Sequence, residues 1–192
     1  MALVKNIAEL ESLFWSELMD ILNYSKEQTP PPVRRSWPAD GASDWNITDN
    51  CVFMQFSEVG DGYMQDIDSV LEENGRDLTL HRASTRVIQL KLVAYGPDCY
   101  ESLLTIRMAL LLGRANLQKQ KIYPVPNTDH VTYAPELFQG RWWKRADLSL
   151  TFNCLMVFDT AINAIEHVDI NIKANEPGAT IIEPGDITIQ KG

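Results

Sequence analysis

An α+β fold, with an antiparallel or mixed β-sheet and helices packed on one face, is what the order of hydrophobic periods along this chain predicts. Three observations carry that expectation. Near the start, Ile7, Leu10, Phe14, Leu18, Ile21 and Leu22 recur every three or four residues, the spacing of a helix with one buried face. In "LKLVAYGPDCYESLLTIRMALLLG", residues 90–113, the period switches from two up to Tyr95 to helical from Asp98. From Arg145 onward, Ala146, Leu148, Leu150, Phe152, Cys154, Met156 and Phe158 alternate with Asp147, Ser149, Thr151 and Asn153, the longest period-2 pattern in the chain.

Taken in order, residues 1–24 form an N-terminal segment, helical over 4–24. Residues 25–50 are a Pro/Trp-rich arm. There Pro30, Pro31, Pro32 and Pro38 oppose regular structure and favour an extended, stiff path. Arg34, Arg35, Trp37 and Trp45 are residue types that anchor interfaces, although both tryptophans could instead fold back onto the core. "CVFMQFSEV" then alternates as a half-buried strand. The acidic stretch from Glu58 to Asp77 reads as a solvated loop with at most a helical turn. Its calcium-loop look fails because Ile67 and Val70 stand where oxygen ligands should alternate, and no glycine follows Asp68.

"STRVIQLKLVAY" is a second, central strand. The turn after it places Gly96 where the chain reverses, Pro97 at a first helical position, and Asp98 and Glu101 at the positive end of the dipole of a helix running to Leu112. A polar helical stretch to Lys121 follows, and Pro124 and Pro126 limit "KIYPVPN" to a short edge strand. "ELFQGRWWKR" leads into the long strand from Arg145, where adjacent Trp142 and Trp143 should face opposite ways, one inward and one toward a partner. The tail, "HVDINIKA" and "ATIIEPGDITIQKG", reads as short edge strands open to a neighbouring chain. The expected organisation is one domain over 1–192, with an α+β core at 51–174 and a C-terminal edge segment at 175–192.

Composition narrows the function. The chain has 192 residues, 45% of them hydrophobic and 22% charged, as in a folded globular protein. No apolar run approaches the roughly 20 residues of a membrane span, and the first residues lack the pattern of a secretion signal, so a cytoplasmic protein without membrane contact is expected. Cys51, Cys99 and Cys154 are scattered and odd in number, as reduced core thiols are, and the Asn46-Ile47-Thr48 sequon is then accidental. A net charge of −9 opposes non-specific binding to nucleic acid, which depends on Lys and Arg neutralising phosphates.

Reactive chemistry is sparse. His81, His130 and His167 stand apart without metal-ligand spacing, and no GxSxG elbow, GxxxxGK loop or GxGxxG turn occurs, so no catalytic residue, metal or cofactor is expected. Two rival functions stay in view. A small hydrolase would use Cys99 or a histidine, as in a pair of Cys99 with His81, since the first turn of a helix can activate a thiol. A single-strand binder would use Trp142 and Trp143 beside Arg141, Lys144 and Arg145.

Together, "RRSWPADG", "TRVIQLKLVAYGPDCYESLLTIRMALL" and "PELFQGRWWKRADLSLTFN" resemble the neck or tail terminators of tailed phages and prophages, from about Arg34 to Lys173. The resemblance implies a structural, non-enzymatic virion protein assembled in the host cytoplasm. Its subunits form a ring, usually of six, that caps the tail tube and joins it to a head-closure or connector protein. DNA would pass the acidic wall without specific binding. A head-closure or connector-adaptor ring protein of the same junction is the nearest alternative. Interface candidates are Arg34, Arg35, Trp37, Trp45, Phe138, Arg141, Trp142 and Trp143, and Gly96, Pro97 and Asp98 form an architectural turn that fixes helix against sheet.

Overall fold

A computed structural model of the protein describes residues 6–36, 45–60, 68–74, 77–126 and 130–162. Three helices and nine strands follow in the order α1 (Ile7–Ile21), β1 (Val33–Arg35), β2 (Cys51–Glu58), β3 (Asp68–Asn74), β4 (Asp77–Tyr95), α2 (Cys99–Leu111), α3 (Ala115–Lys119), β5 (Ile122–Pro124), β6 (Thr132–Tyr133), β7 (Glu136–Phe138), β8 (Arg141–Trp143) and β9 (Arg145–Ile162). The class is α+β. The main sheet runs β1-β2-β4-β9-β5, with β3 beside β4 and β6 beside β9, while β7 and β8 form a separate hairpin.

The spine is the antiparallel pair β4 and β9, in register from Leu78↔Ile162 to Tyr95↔Arg145 without a slip. Opposed residues share a face, so alternation in both strands gives two surfaces. One carries Ile88, Leu90, Leu92 and Ala94 of β4, Ala146, Leu148, Leu150, Phe152 and Cys154 of β9, and Val52 and Met54 of β2, all buried. Leu10, Phe14 and Leu18 of α1 and Leu103, Ile106 and Leu110 of α2 close that face, and fully burying each such side chain contributes about 1.5–3 kcal/mol. The helices thus lie on one face, as the sequence predicts.

Local signals set the ends of α1. Asn6 accepts from the Glu9 amide at 2.9 Å and its own amide donates to Glu9 Oε2 at 2.8 Å, a reciprocal cap worth about 1 kcal/mol. Glu17 is only 2% exposed on the buried face of α1, where it accepts from Arg114 Nε at 2.8 Å and Asn116 Nδ2 at 2.7 Å. This pair pins the first helix to the start of α3, 97 residues later. Glu17→Ala leaves Arg114 and Asn116 without their acceptor. Because Arg114 keeps contact with solvent, the expected loss is about 1–3 kcal/mol by urea titration.

Two segments differ from the sequence expectation. Within the proline-rich arm, Val33–Arg35 forms a strand parallel to β2, with Pro32 O accepting from the Val52 amide at 2.8 Å and Val33 O from Trp15 Nε1 at 2.9 Å. Proline lacks a donor yet keeps its carbonyl, so Pro32 can lead into an edge strand. The acidic stretch read as loop contains β3, antiparallel to β4 from Asp68↔Ala83 to Asn74↔Asp77. Its partner outweighs its polar composition. Trp37 and the tail beyond residue 162, with its expected edge strands, lie outside the described residues.

Beyond the helices, β3, β4 and the end of β9 form a three-stranded ribbon. His81 ties it together, Nδ1 lying 2.8 Å from Asp159 on β9 and Nε2 2.9 Å from Glu72 on β3. These bonds to Asp159 and then Glu72 raise the His81 pKa above its usual 6.5. A raised folded pKa means that the imidazolium's stabilisation is complete below 6.5 and fades as pH climbs through the higher folded value. Proton NMR should therefore find His81 titrating above 6.5, and Glu72→Gln should bring it down. An unchanged titration in that variant would remove Glu72 from the account.

Candidate subunit interface and architectural turn

The face of the sheet away from the helices is mostly polar, with one aromatic exception. Cross-strand pairing sets Phe53 of β2 beside Val93 of β4, and next to them Cys51 beside Tyr95. Trp45, just before β2, lies over this corner with its ring 4.9 Å from Phe53 and 5.7 Å from Tyr95 between centroids. Trp143 of β8 stands edge-on to both Trp45 at 6.2 Å and Tyr95 at 6.4 Å, and Phe138 of β7 meets Trp143 at 6.1 Å. These are the separations and tilts that ring quadrupoles favour. Arg34 of β1 holds its guanidinium carbon 5.9 Å from the centre of the Trp45 ring, within cation–π range.

A charged network borders the cluster. Arg145 grips Asp147 with Nε and Nη2 at 2.8 and 3.0 Å, and its Nη1 donates to Glu136 Oε2 at 2.9 Å. Tyr95 Oη donates to the same Glu136 oxygen at 3.0 Å. Burial, and after it that bond, pushes the Tyr95 phenol up to about 12. The network fixes the base of the β7–β8 hairpin to the ends of β4 and β9, since Glu136 lies on β7, Tyr95 on β4 and both Arg145 and Asp147 on β9.

The predicted interface residues do not all meet. Arg34, Trp45, Phe138 and Trp143 come together. Arg35 points to the other face and pairs with Glu11 of α1 at 3.1 Å. Arg141 and Trp142 stand outside the cluster on the hairpin, Trp142 being 67% exposed. The two tryptophans do face opposite ways, but in β8 of a separate hairpin and not at the start of the long strand. Phe53 and Tyr95 were missed. Their odd positions, opposite the apolar alternation, were the available signal.

The turn at Gly96 joins this corner to α2. Gly96 has φ +108°, and a Cβ there would lie 2.5 Å from Asn50 Oδ1 and Asp49 O. Asn50 braces the helix start, its Oδ1 accepting from the Asp98 amide at 3.0 Å and its Nδ2 donating to Asp98 Oδ2 at 2.9 Å. Asp98 is the N-cap residue and Cys99 the first helical residue, so Pro97 precedes the cap and does not occupy the first helical position. Lys144 Nζ reaches Pro97 O at 3.4 Å and Lys144 O accepts from the Gly96 amide at 3.3 Å, which ties the turn to the strand end from the other side.

Neither Cys99 nor Cys51 is placed as an activated nucleophile. Cys99 is buried and its thiol is raised by that burial, as is Cys51, pushed up to about 11. His81 sits 14 residues before Tyr95 on one strand, roughly 45 Å from the turn that carries Cys99. No group of His, Cys, Asp and Glu among the described residues could hold a metal ion, and no helix among them is long and apolar enough to cross a membrane.

Residues 8–178 match the family described as Phage neck terminator protein. The chain belongs to that family. Among curated proteins, none matches it. Neck terminator proteins are structural parts of the phage, which places this chain in the neck or tail of a virion and among proteins that contact other head or tail components. The family is a structural one, not an enzyme family.

Proposed function

We propose that the protein is a ring-forming tail terminator that caps the tail tube and joins it to the head-closure or connector protein, assembling in the host cytoplasm. The observation that supports this reading best is a pair of unlike apolar surfaces on opposite sides of one small chain. On the helix side, Tyr100, Leu104 and Met108 of α2 and Leu112 at its C-cap form an exposed stripe at four-residue spacing, although Cys99, Leu103, Ile106 and Leu110 already fill the inner face of the helix. A helix apolar on both sides is expected to be covered on both. On the far side, the β7–β8 hairpin exposes Leu137, Phe138 and Trp142 beside Arg141. Two different surfaces per subunit allow head-to-tail contacts, which close into a ring when the rotation fits. The net charge of −9 suits a channel through which DNA slides without sticking.

Light scattering over a range of concentrations, with and without the purified tail tube, tests the proposal. A closed species near six chains, bound to the tube end in negative-stain images, is the expected result. A ring that binds the head connector and ignores the tube would favour the head-closure alternative. A chain that stays monomeric in both conditions would refute the ring.

A further inference from the structure

We infer that the ring is held partly by backbone pairing, β3 of one copy adding to β9 of the next, an inference that rests on the ring reading above. The ribbon of β3, β4 and β9 has two long edges that no described strand covers. On one side, β3 pairs only with β4. On the other, β5 and β6 reach β9 no farther than Cys154 in register, and beyond the bond from the Leu155 amide to Lys121 O no described strand follows. The open edges stand at the same height, because β4 residues 78–83 pair with both β3 and the end of β9.

Hydrogen-bond direction shows which groups are on offer. Along a strand, successive residues direct their N–H and C=O to opposite sides. In β9 the amide of Leu155 and the carbonyls of Thr151 and Arg145 bond outward, so odd-numbered residues address the outer edge, Val157 and Ala161 among them. In β4 the Val87 carbonyl accepts from Val59 on the opposite side, so the odd residues His81 and Ala83 bond β3 through their partners Val70 and Asp68, leaving Ser69 and Leu71 directed away. Both edges therefore present regular rows of donors and acceptors.

Side chains agree with the backbone. On the face that continues the core, beyond the helices, Leu71 of β3 and Phe158 and Ile162 of β9 are all exposed. They belong to the two edge strands. Between Val157 and Ile162 there is no proline, lysine, arginine or glycine to blunt the edge, and the one charged residue there, Asp159, is engaged by His81 of β4 at 2.8 Å. β3 and β9 are both antiparallel to β4 and so run in the same direction. A second copy rotated about an axis along the ribbon keeps that direction, and its β3 would pair in parallel with β9 and set its Leu71 on the same face as Phe158 and Ile162. The contact uses a different edge on each copy, as a ring requires.

Proline scanning separates this junction from the fold. Ala161→Pro and Leu71→Pro each remove an outward N–H and leave the bonds to β4, whereas Thr160→Pro removes an inward one. The wild-type chain and each variant are measured by light scattering with tail tube present, and by thermal melting of the dilute chain without tail tube, where ring formation does not add to the melting temperature. The expected result is that Ala161→Pro and Leu71→Pro melt close to wild type yet no longer form rings, while Thr160→Pro melts lower. An equimolar mixture of the first two should give a one-to-one dimer, because each retains the edge the other lacks. Rings from either edge variant, or no dimer from the mixture, would overturn the inference while leaving the ring intact as a reading. A lower melting temperature for Ala161→Pro without loss of the ring would do the same, by showing that the edge is used within one chain. Failure of the wild type to assemble would instead overturn the ring itself.

Discussion

Gly96→Val is expected to destabilise the fold by about 2–6 kcal/mol and to abolish assembly with it. Two terms add. A β-branched residue at φ +108° is held outside its allowed region, and its Cβ would overlap Asn50 Oδ1 and Asp49 O at 2.5 Å and Asn50 Cα at 2.9 Å. Two of those three contacts are backbone atoms, which cannot swing aside as a side-chain tip can. Moving Asn50 also breaks both of its bonds to Asp98 and so frees the start of α2. Since the collision is with Cβ itself, Gly96→Ala should be nearly as damaging as valine. Pro97→Ala, one residue before the cap, should cost under about 1 kcal/mol. Urea titration and light scattering on the three variants check this, and a Gly96→Val chain that unfolds at the wild-type midpoint would refute the architectural role of the turn.

The sequence was most legible where period and punctuation agreed. In β9 the alternation from Ala146 to Cys154 is the burial pattern itself, since one face of the strand is covered by helices and the other is not. The helix α2 and the turn before it were legible because glycine, proline and aspartate each have a narrow conformational use, although Pro97 falls two residues before the first helical position that proline favours. What escaped depended on partners distant in sequence. The polar composition of β3 says loop, and only the neighbouring β4 makes it a strand. Pro30 to Pro32 say irregular, yet β2 recruits Val33–Arg35. Glu17 looked like any surface glutamate. Its position three residues after Phe14, on the apolar side of the helix, was the one hint that it is buried. The candidate interface was legible in part. Tryptophan and arginine content drew notice to Arg34, Trp45 and Trp143, and the loop before the long strand to Phe138, but that they converge with Phe53 and Tyr95 follows from strand register, which one sequence does not display.

Phe14→Ala should cost about 3–5 kcal/mol and leave the assembly surfaces unchanged, the reverse of what Trp142→Ala should do. Phe14 is fully buried between α1 and the sheet, edge-on to Phe56 at 5.1 Å and to Phe152 at 5.0 Å. Truncation removes the ring from both contacts, and three elements border the hole, so little can collapse into it. Against a typical total of about 5–15 kcal/mol, the loss lowers the melting temperature sharply. Below that temperature the folded fraction should still form rings, because α2, the hairpin and the ribbon edges are untouched. Trp142 projects from the hairpin and touches no ring of the aromatic cluster, so its removal should change stability by no more than about 0.5 kcal/mol. If the hairpin meets a neighbouring subunit, the same change should weaken ring formation at a given concentration. Melting curves and light scattering on the two variants therefore separate what folds this chain from what assembles it. Rings formed by Trp142→Ala at wild-type concentrations would remove the hairpin from the interface, leaving α2 and the strand edges to carry it.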